Sequence, residues 1–130
     1  DARSNWRDHV MQWHDGGRGR PGITYLSYEE LVADTEGTLS GSIESVTGNR
    51  PDEWVVRQTV EKYSMARQTG GRKAGDEDRE SFIRKGVAGD WVNHFGPTAA
   101  RRFDDLAGDA LVAVGYEPDR DWIDRYDLQD

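Results

Sequence analysis

Hydrophobic residues recur at helical spacing in several stretches of this chain. In the first of them, Trp6, Val10 and Trp13 fall at positions i, i+4 and i+7, which predicts an apolar helix face over residues 5–14. Ser4 stands just before this stretch and is a candidate N-cap, because its hydroxyl can accept a hydrogen bond from an N–H group of the first turn. The first predicted element is therefore an amphipathic helix.

A loop and a short strand are predicted next. Four glycines and a proline lie within residues 15–22, which is typical of a loop. Residues 23–28 form a short apolar and aromatic run between turn signals, as expected of a buried parallel strand. A turn then leads to Asp34, a candidate N-cap for the next helix.

Further helices are predicted from the same spacing. In the first of these helices, Leu39, Ile43 and Val46 are expected to face inward, and Gly48 should end it. In the second, over residues 51–63, the inward residues are expected to be Trp54, Val55 and Val60. In the third, over residues 98–107, they are expected to be Phe103 and Leu106. A short helix from Asp109 should end at Gly115. In the acidic tail Trp122, Ile123 and Tyr126 have helical spacing, so the tail is expected to pack against the rest.

Composition excludes several classes of protein. The chain has 130 residues, about one domain, and a formal net charge of −8, which argues against general nucleic-acid binding and against docking on anionic lipid. It has no cysteine, no secretion signal and no apolar run near membrane-spanning length, so a cytoplasmic location is expected. One stretch is locally basic, and its cations are Arg67, Arg72, Lys73, Arg79, Arg84 and Lys85.

The most informative stretch sets two cations against a glycine. Arg84 offers a planar fork of donors that can hold a phosphate by two parallel bonds, and Lys85 adds a compact charge. Gly86 lets backbone N–H groups approach an anion with no Cβ in the way. A solvated surface turn would also account for these three residues, so the pattern alone is a modest indication of a phosphate site.

Residues 82–91, with Phe95, resemble the RKGxxGDWxxxF signature of the soluble sulfotransferases. Other stretches resemble that family in the same order: residues 4–13 its W-x-x-H-V-x-x-W helix, and residues 25–34 its strand-to-helix YEDL-x-x-D segment. Phe103-Asp104 and Gly115-Tyr116 fall where the family's last helices do. The resemblance covers nearly the whole chain, and its match looks closer to bacterial members.

The resemblance implies an α/β fold. Residues 1–130 would be the C-terminal half of a single, doubly wound, P-loop-like sulfotransferase domain, mostly helical with one or two strands. The family's phosphosulfate-binding loop and catalytic histidine belong to an N-terminal half that the chain does not contain. The chain by itself is therefore expected to be inactive, and no residue in it is assigned as catalytic or as a metal ligand.

The implied reaction transfers a sulfuryl group from 3′-phosphoadenosine-5′-phosphosulfate to a hydroxyl or amine of a small acceptor. The resemblance assigns Arg84, Lys85 and Gly86 to the 3′-phosphate of this co-substrate. It places Tyr28, Ser64 and Met65 near the adenine. Only Ser64 is retained from the family's T-S-F-x-x-M string, and Met65 replaces its phenylalanine.

Residues 68–80 are expected to be a mobile surface loop with little to bury. In the family this position carries a segment that closes over nucleotide and acceptor, so Arg72, Lys73 and Arg79 are candidates for further contacts to the co-substrate. The dimerisation string of animal members, K-x-x-F-T-V-x-x-x-E, is not matched apart from Phe95. Two alternatives remain: a nucleotide-binding remnant without turnover, and an acidic interaction domain that keeps the cationic turn only for folding.

Overall fold

The computed structural model describes residues 5–128. The α-helices in this range are α1 (Trp6–Gly17), α2 (Tyr28–Ala33), α3 (Thr35–Thr47), α4 (Glu53–Lys62), α5 (Met65–Gln68) and α6 (Pro97–Ala113). Two 3₁₀ helices cover Asp90–Asn93 and Trp122–Arg125. Contacts divide the chain into two compact units, a first unit of residues 5–20 and 89–128 and a second unit of Pro21–Ala88.

In the first unit α1 packs against α6. The Trp6 and Phe103 rings lie 5.6 Å apart, and Arg7 Nε donates to Asp109 Oδ1 over 2.9 Å. The N-cap of α1 is Asn5, whose side chain accepts from the Asp8 N–H group. Ser4, the predicted cap, lies outside the described residues.

An aromatic cluster closes the first unit. The Trp91 ring lies 5.7 Å from that of Trp122 and 4.7 Å from that of Tyr126, both nearly edge to face. Trp122 is only 2% exposed, and Ala100 and Ala110 of α6 are fully buried. The expectation that the acidic tail packs through Trp122 is confirmed.

The second unit is a series of helices in which each packs on the next, from α2 to α5. Asp34 caps α3, as predicted, by accepting from the Gly37 N–H group at 2.9 Å. Gly48 ends α3 with a φ of +74°. Val56 of α4 is buried, whereas the predicted inward residues Val55 and Trp54 are exposed.

The predicted strand over residues 23–28 is wrong. Residues 23–27 are irregular and half exposed, and Tyr28 already begins α2. The described residues contain no strand with which this segment could form a ladder, and an extended segment without a ladder is not a strand. The expectation of a mostly helical chain is confirmed, and the one or two strands expected within it are not found in residues 5–128.

Helix boundaries also differ from the prediction. Helix α1 continues through Gly16 to Gly17, and α6 is one helix where two were predicted. Gly108 does not interrupt α6 because it is buried against the Asp104 and Arg120 side chains, which occupy the space a Cβ atom would need. The prediction that Gly115 ends the helix is confirmed by its φ of +81°.

Several expected inward residues face solvent. Leu106 is 66% exposed and Val46 is 45% exposed, although both have the spacing of a buried helix face. Periodicity identifies an apolar face, but it does not say whether that face meets a partner in the same unit.

Candidate functional site

The candidate site lies on the loop that follows α5 in the second unit. This loop folds back so that its first half meets the two cations near its end. The Gly75 N–H group donates to the Lys85 carbonyl and the Asp78 N–H group to the Arg84 carbonyl, each over 2.9 Å. The backbone of Arg84 and Lys85 is therefore fixed from behind by hydrogen bonds within the loop.

Gly86 is required by its geometry. Its φ is +67°, in the left-handed region that favours glycine, and a Cβ atom placed on it would lie 2.6 Å from Met65 Sδ. The structure thus brings together two residues that the sequence assigned separately, Gly86 to the 3′-phosphate and Met65 to the adenine. A thioether beside the cationic turn is suitably placed for packing on an aromatic ring.

The cations have an acidic neighbour in the same loop. Glu77 Oε1 lies 3.4 Å from Arg84 Nε and 3.6 Å from Arg79 Nε. Both contacts are longer than an ordinary charged hydrogen bond. The Arg84 side chain is 46% exposed, so it remains accessible to a ligand from solvent.

Arg72 is engaged inside the loop. Nη1 donates to the carbonyls of Asp76 at 3.3 Å and Arg84 at 3.0 Å. Nη2 donates to Ser81 Oγ at 2.8 Å and to the Ile83 carbonyl at 2.7 Å. Its donors hold the loop itself, which corrects the expectation that Arg72 adds a contact to the co-substrate.

Ser64 and Tyr28 stand at helix starts. The Ser64 hydroxyl accepts from the Arg67 N–H group at 3.4 Å and caps α5, a helix that was not predicted. A hydroxyl that accepts one bond can still donate its own hydrogen, so the cap leaves Ser64 available to a ligand. Tyr28 is the first residue of α2 and is 48% exposed. The assignment of both to the adenine stays a prediction.

The remaining part of the motif, from Gly89 to Phe95, lies in the first unit. Asp90 Oδ1 accepts from Asn93 Nδ2 at 3.0 Å, and its other oxygen lies 3.1 Å from His94 Nε2. Trp91 belongs to the aromatic cluster and packs against Phe95 at 6.0 Å. These contacts hold this part of the motif within the first unit.

Carboxyl groups in both units have lowered pKa values through identifiable partners. The pKa of Asp104 lies below its usual value chiefly because Arg120 donates to it, with a further bond from Trp122. The pKa of Glu30 is lowered first by the Ser27 backbone N–H group. Burial raises the pKa of Tyr126, and its bond to Glu117 adds to that effect.

Within residues 5–128, no group of three or more histidine and carboxylate side chains is arranged to hold a metal ion. None of the helices in that range has the length and apolarity needed to cross a membrane.

At the Gly86 turn two adjacent cations precede a left-handed glycine, and backbone bonds hold the turn. Such a turn has the donors that a phosphate-like anion needs. Comparison with known protein families identifies the family. The sulfotransferase domain matches residues 2–115, and the chain therefore belongs to the sulfotransferase family.

Known relatives agree with this assignment. Sulfotransferase 1C2 of Homo sapiens is 31% identical over 111 residues, which are 78% of this chain and 37% of that protein. Sulfotransferase 1C2 of Oryctolagus cuniculus is 30% identical over 125 residues, covering 89% and 42%. A 3-beta-hydroxysteroid sulfotransferase of Cavia porcellus is 30% identical over 122 residues, covering 88% and 41%.

The chain spans about two fifths of the length of these relatives. All three are animal proteins, so the closer match to bacterial members stays a prediction. No solved structure matches the chain significantly.

Proposed function

We propose that this chain supplies the nucleotide-binding part of a sulfotransferase that uses 3′-phosphoadenosine-5′-phosphosulfate. In this proposal the chain forms part of a doubly wound α/β domain of bacterial type. The acceptor is a small molecule with a hydroxyl or amine group. The observation that carries the proposal is the turn at Gly86, where Arg84 and Lys85 adjoin a left-handed glycine that no other residue could replace without strain.

The 3′-phosphate is the group that this turn would bind. Arg84 can contribute two parallel N–H bonds and Lys85 a compact charge, while the Gly86 N–H group is free of a Cβ. The Met65 thioether lies directly beside Gly86, where an adenine ring would pack against it. Ser64 and Tyr28 would complete the adenine contacts.

In the proposed reaction the acceptor oxygen or nitrogen forms a bond to sulfur. The bond between sulfur and the 5′-phosphate oxygen breaks, the acceptor loses a proton, and 3′-phosphoadenosine-5′-phosphate leaves. Reactions of this kind depend on positioning and on stabilising charge. The described residues bind and orient the nucleotide in this scheme, and none is assigned as the catalytic base.

Isothermal titration calorimetry with 3′-phosphoadenosine-5′-phosphate tests the proposal. A charge-assisted bond is worth roughly 1.5–3 kcal/mol, so Arg84→Ala should weaken binding by about 10- to 100-fold. Glu77→Gln should strengthen binding a few-fold, because it removes the carboxylate that competes for Arg84. Arg57→Ala is the matched control, since it removes one exposed arginine of α4, away from the loop, and should leave the affinity unchanged.

The outcomes separate the alternatives. Unchanged affinity in Arg84→Ala would remove the assignment of the 3′-phosphate to this turn. Tight binding without sulfation of any acceptor, measured on a protein that also carries the family's N-terminal half, would favour a nucleotide-binding remnant. Equal affinity for this nucleotide and for AMP would favour an acidic interaction domain.

A further inference from the structure

Arg72 stands out in the second unit because it is a cation whose partners are mostly backbone carbonyls. Its side chain is 22% exposed, whereas that of Arg79 in the same loop is 80% exposed. Each terminal nitrogen of a guanidinium carries two N–H groups. Nη1 and Nη2 of Arg72 each have two acceptors, so their four N–H groups are all engaged within the loop.

The acceptors of Arg72 lie on both arms of the loop. The Asp76 carbonyl belongs to the first arm of the loop, which leads away from α5. Ser81, Ile83 and Arg84 belong to the second arm, which leads back towards Gly86. The guanidinium group of Arg72 therefore joins the two arms at the point where the residues proposed to bind the phosphate begin.

We propose that Arg72 is a positioning residue for the 3′-phosphate receptor, an inference that rests on the proposed function. By holding the carbonyls of Ile83 and Arg84, Arg72 fixes the direction in which the Arg84 and Lys85 side chains leave the loop. The bonds from the Gly75 and Asp78 N–H groups to Lys85 and Arg84 complete this support. Arg72 itself does not touch the nucleotide.

Charge alone does not perform this role. A lysine carries three N–H groups on a single nitrogen and cannot reach acceptors on both arms in the fixed plane of a guanidinium. Arg72→Lys keeps the charge but removes the planar group that bonds to both arms of the loop. The variant therefore separates an electrostatic role from a positioning role.

The measured quantity is the ratio of affinities for 3′-phosphoadenosine-5′-phosphate and AMP, which differ only in the 3′-phosphate. Arg72→Lys should lower this ratio by about tenfold, since small misplacements of a binding group are costly, while the affinity for AMP stays unchanged. General destabilisation would lower both affinities together. Arg57→Ala is the matched control, because Arg57 is an exposed arginine of α4 beside Glu36 and should leave the ratio unchanged.

A second variant tests the same role if Arg72→Lys fails to fold. Ser81→Ala removes one acceptor of Nη2 and keeps the guanidinium, so it should lower the ratio by about two- to threefold. Hydrogen exchange at the Asp78 amide, which donates to the Arg84 carbonyl, should become faster in Arg72→Lys.

The outcomes distinguish this inference from the proposed function. If the unchanged protein prefers 3′-phosphoadenosine-5′-phosphate and Arg84→Ala abolishes that preference, an unaltered ratio in both Arg72→Lys and Ser81→Ala would overturn the role of Arg72 alone. If the unchanged protein has no preference over AMP, the proposed function fails, and the role of Arg72 fails with it.

Discussion

Two carboxylates, Asp104 of the first unit and Glu77 of the second, are held in different ways. In the first unit Asp104 accepts from Arg120 Nε at 2.9 Å and from Trp122 Nε1 at 2.7 Å, and it lies beside a well-packed aromatic cluster. In the second unit Glu77 lies 3.4 Å from Arg84 on an exposed loop. The first arrangement fixes its carboxylate by short hydrogen bonds, while the second holds its carboxylate by a longer contact, which the proposed 3′-phosphate would displace.

Two tryptophans differ in a similar way. Trp122 of the first unit is 2% exposed, whereas Trp54 of the second is 68% exposed. The motif from Phe82 to Phe95 crosses from one unit to the other, with its cations in the second and its Trp91 anchor in the first. In the proposed function, one short motif combines anion binding at its cations with packing at Trp91, and these two tasks call for different environments.

The largest expected effect tests the packing side of this comparison. Trp122→Ala should lower the free energy of unfolding by about 3–5 kcal/mol, because it removes a buried ring and leaves a cavity. Trp54→Ala is the matched change in the second unit and should cost no more than about 0.5 kcal/mol, since its ring is mostly in solvent. Chemical denaturation measures both, and equal losses would contradict the comparison.

Part of the packing was predictable from the sequence. Helical spacing identified Trp122 and Tyr126 as packing residues, and the caps at Asp34 and Gly115 follow from local chemistry. The strand over residues 23–28 was not predicted correctly, because an apolar run has the same composition whether or not a neighbouring strand is present to pair with it. The predicted inward position of Leu106 was wrong for a related reason, since helical spacing does not reveal which helix faces pack against a partner.

A smaller effect is expected at the two glycines of the motif, one in each unit. Gly86 and Gly89 have φ values of +67° and +76°, so an alanine at either site should cost about 1–2 kcal/mol through backbone strain. Only Gly86 has a close neighbour, Met65 Sδ, which must move to admit a Cβ. Gly86→Ala should therefore be the more destabilising change by denaturation.

Binding gives the sharper readout of this pair. Gly86→Ala should also weaken the binding of 3′-phosphoadenosine-5′-phosphate, as measured by calorimetry, because the turn and Met65 both belong to the proposed site. Gly89→Ala should leave that affinity close to the unchanged value. A similar loss of binding in both variants would show that the left-handed backbone, and not the contact with Met65, matters at Gly86.

The candidate site was predictable only in part. Arg84, Lys85 and Gly86 carry their chemistry in adjacent residues, so the sequence alone indicated an anion site. The support from Arg72 was not predictable, because its acceptors are mostly carbonyl groups that every residue possesses and that only the folded loop brings together. The position of Glu77 between two arginines likewise depends on the course of the loop.

The smallest expected effect concerns acid stability. Because Arg120 and Trp122 hold the pKa of Asp104 below its ordinary 3.8, the Asp104 carboxylate stabilises the fold above about that pH and loses this contribution as the pH falls through the lowered value. Asp104→Asn should remove this part of the acid transition and cost about 1 kcal/mol at neutral pH, an amount limited by the solvation of the half-exposed Arg120.

Glu30 of the second unit is the matching test, since hydrogen bonds from Ser27 also lower the pKa of its exposed carboxyl group. Urea denaturation between pH 2 and 7 should show that Asp104→Asn flattens the acid limb of the stability curve more than Glu30→Gln does. The reason is that the Asp104 carboxylate is largely shielded and shares a bond with the buried Trp122, while Glu30 is in contact with water. If Glu30→Gln flattened the curve more, the acid stability of the chain would depend on the cap of α2 and not on the charge network of the first unit.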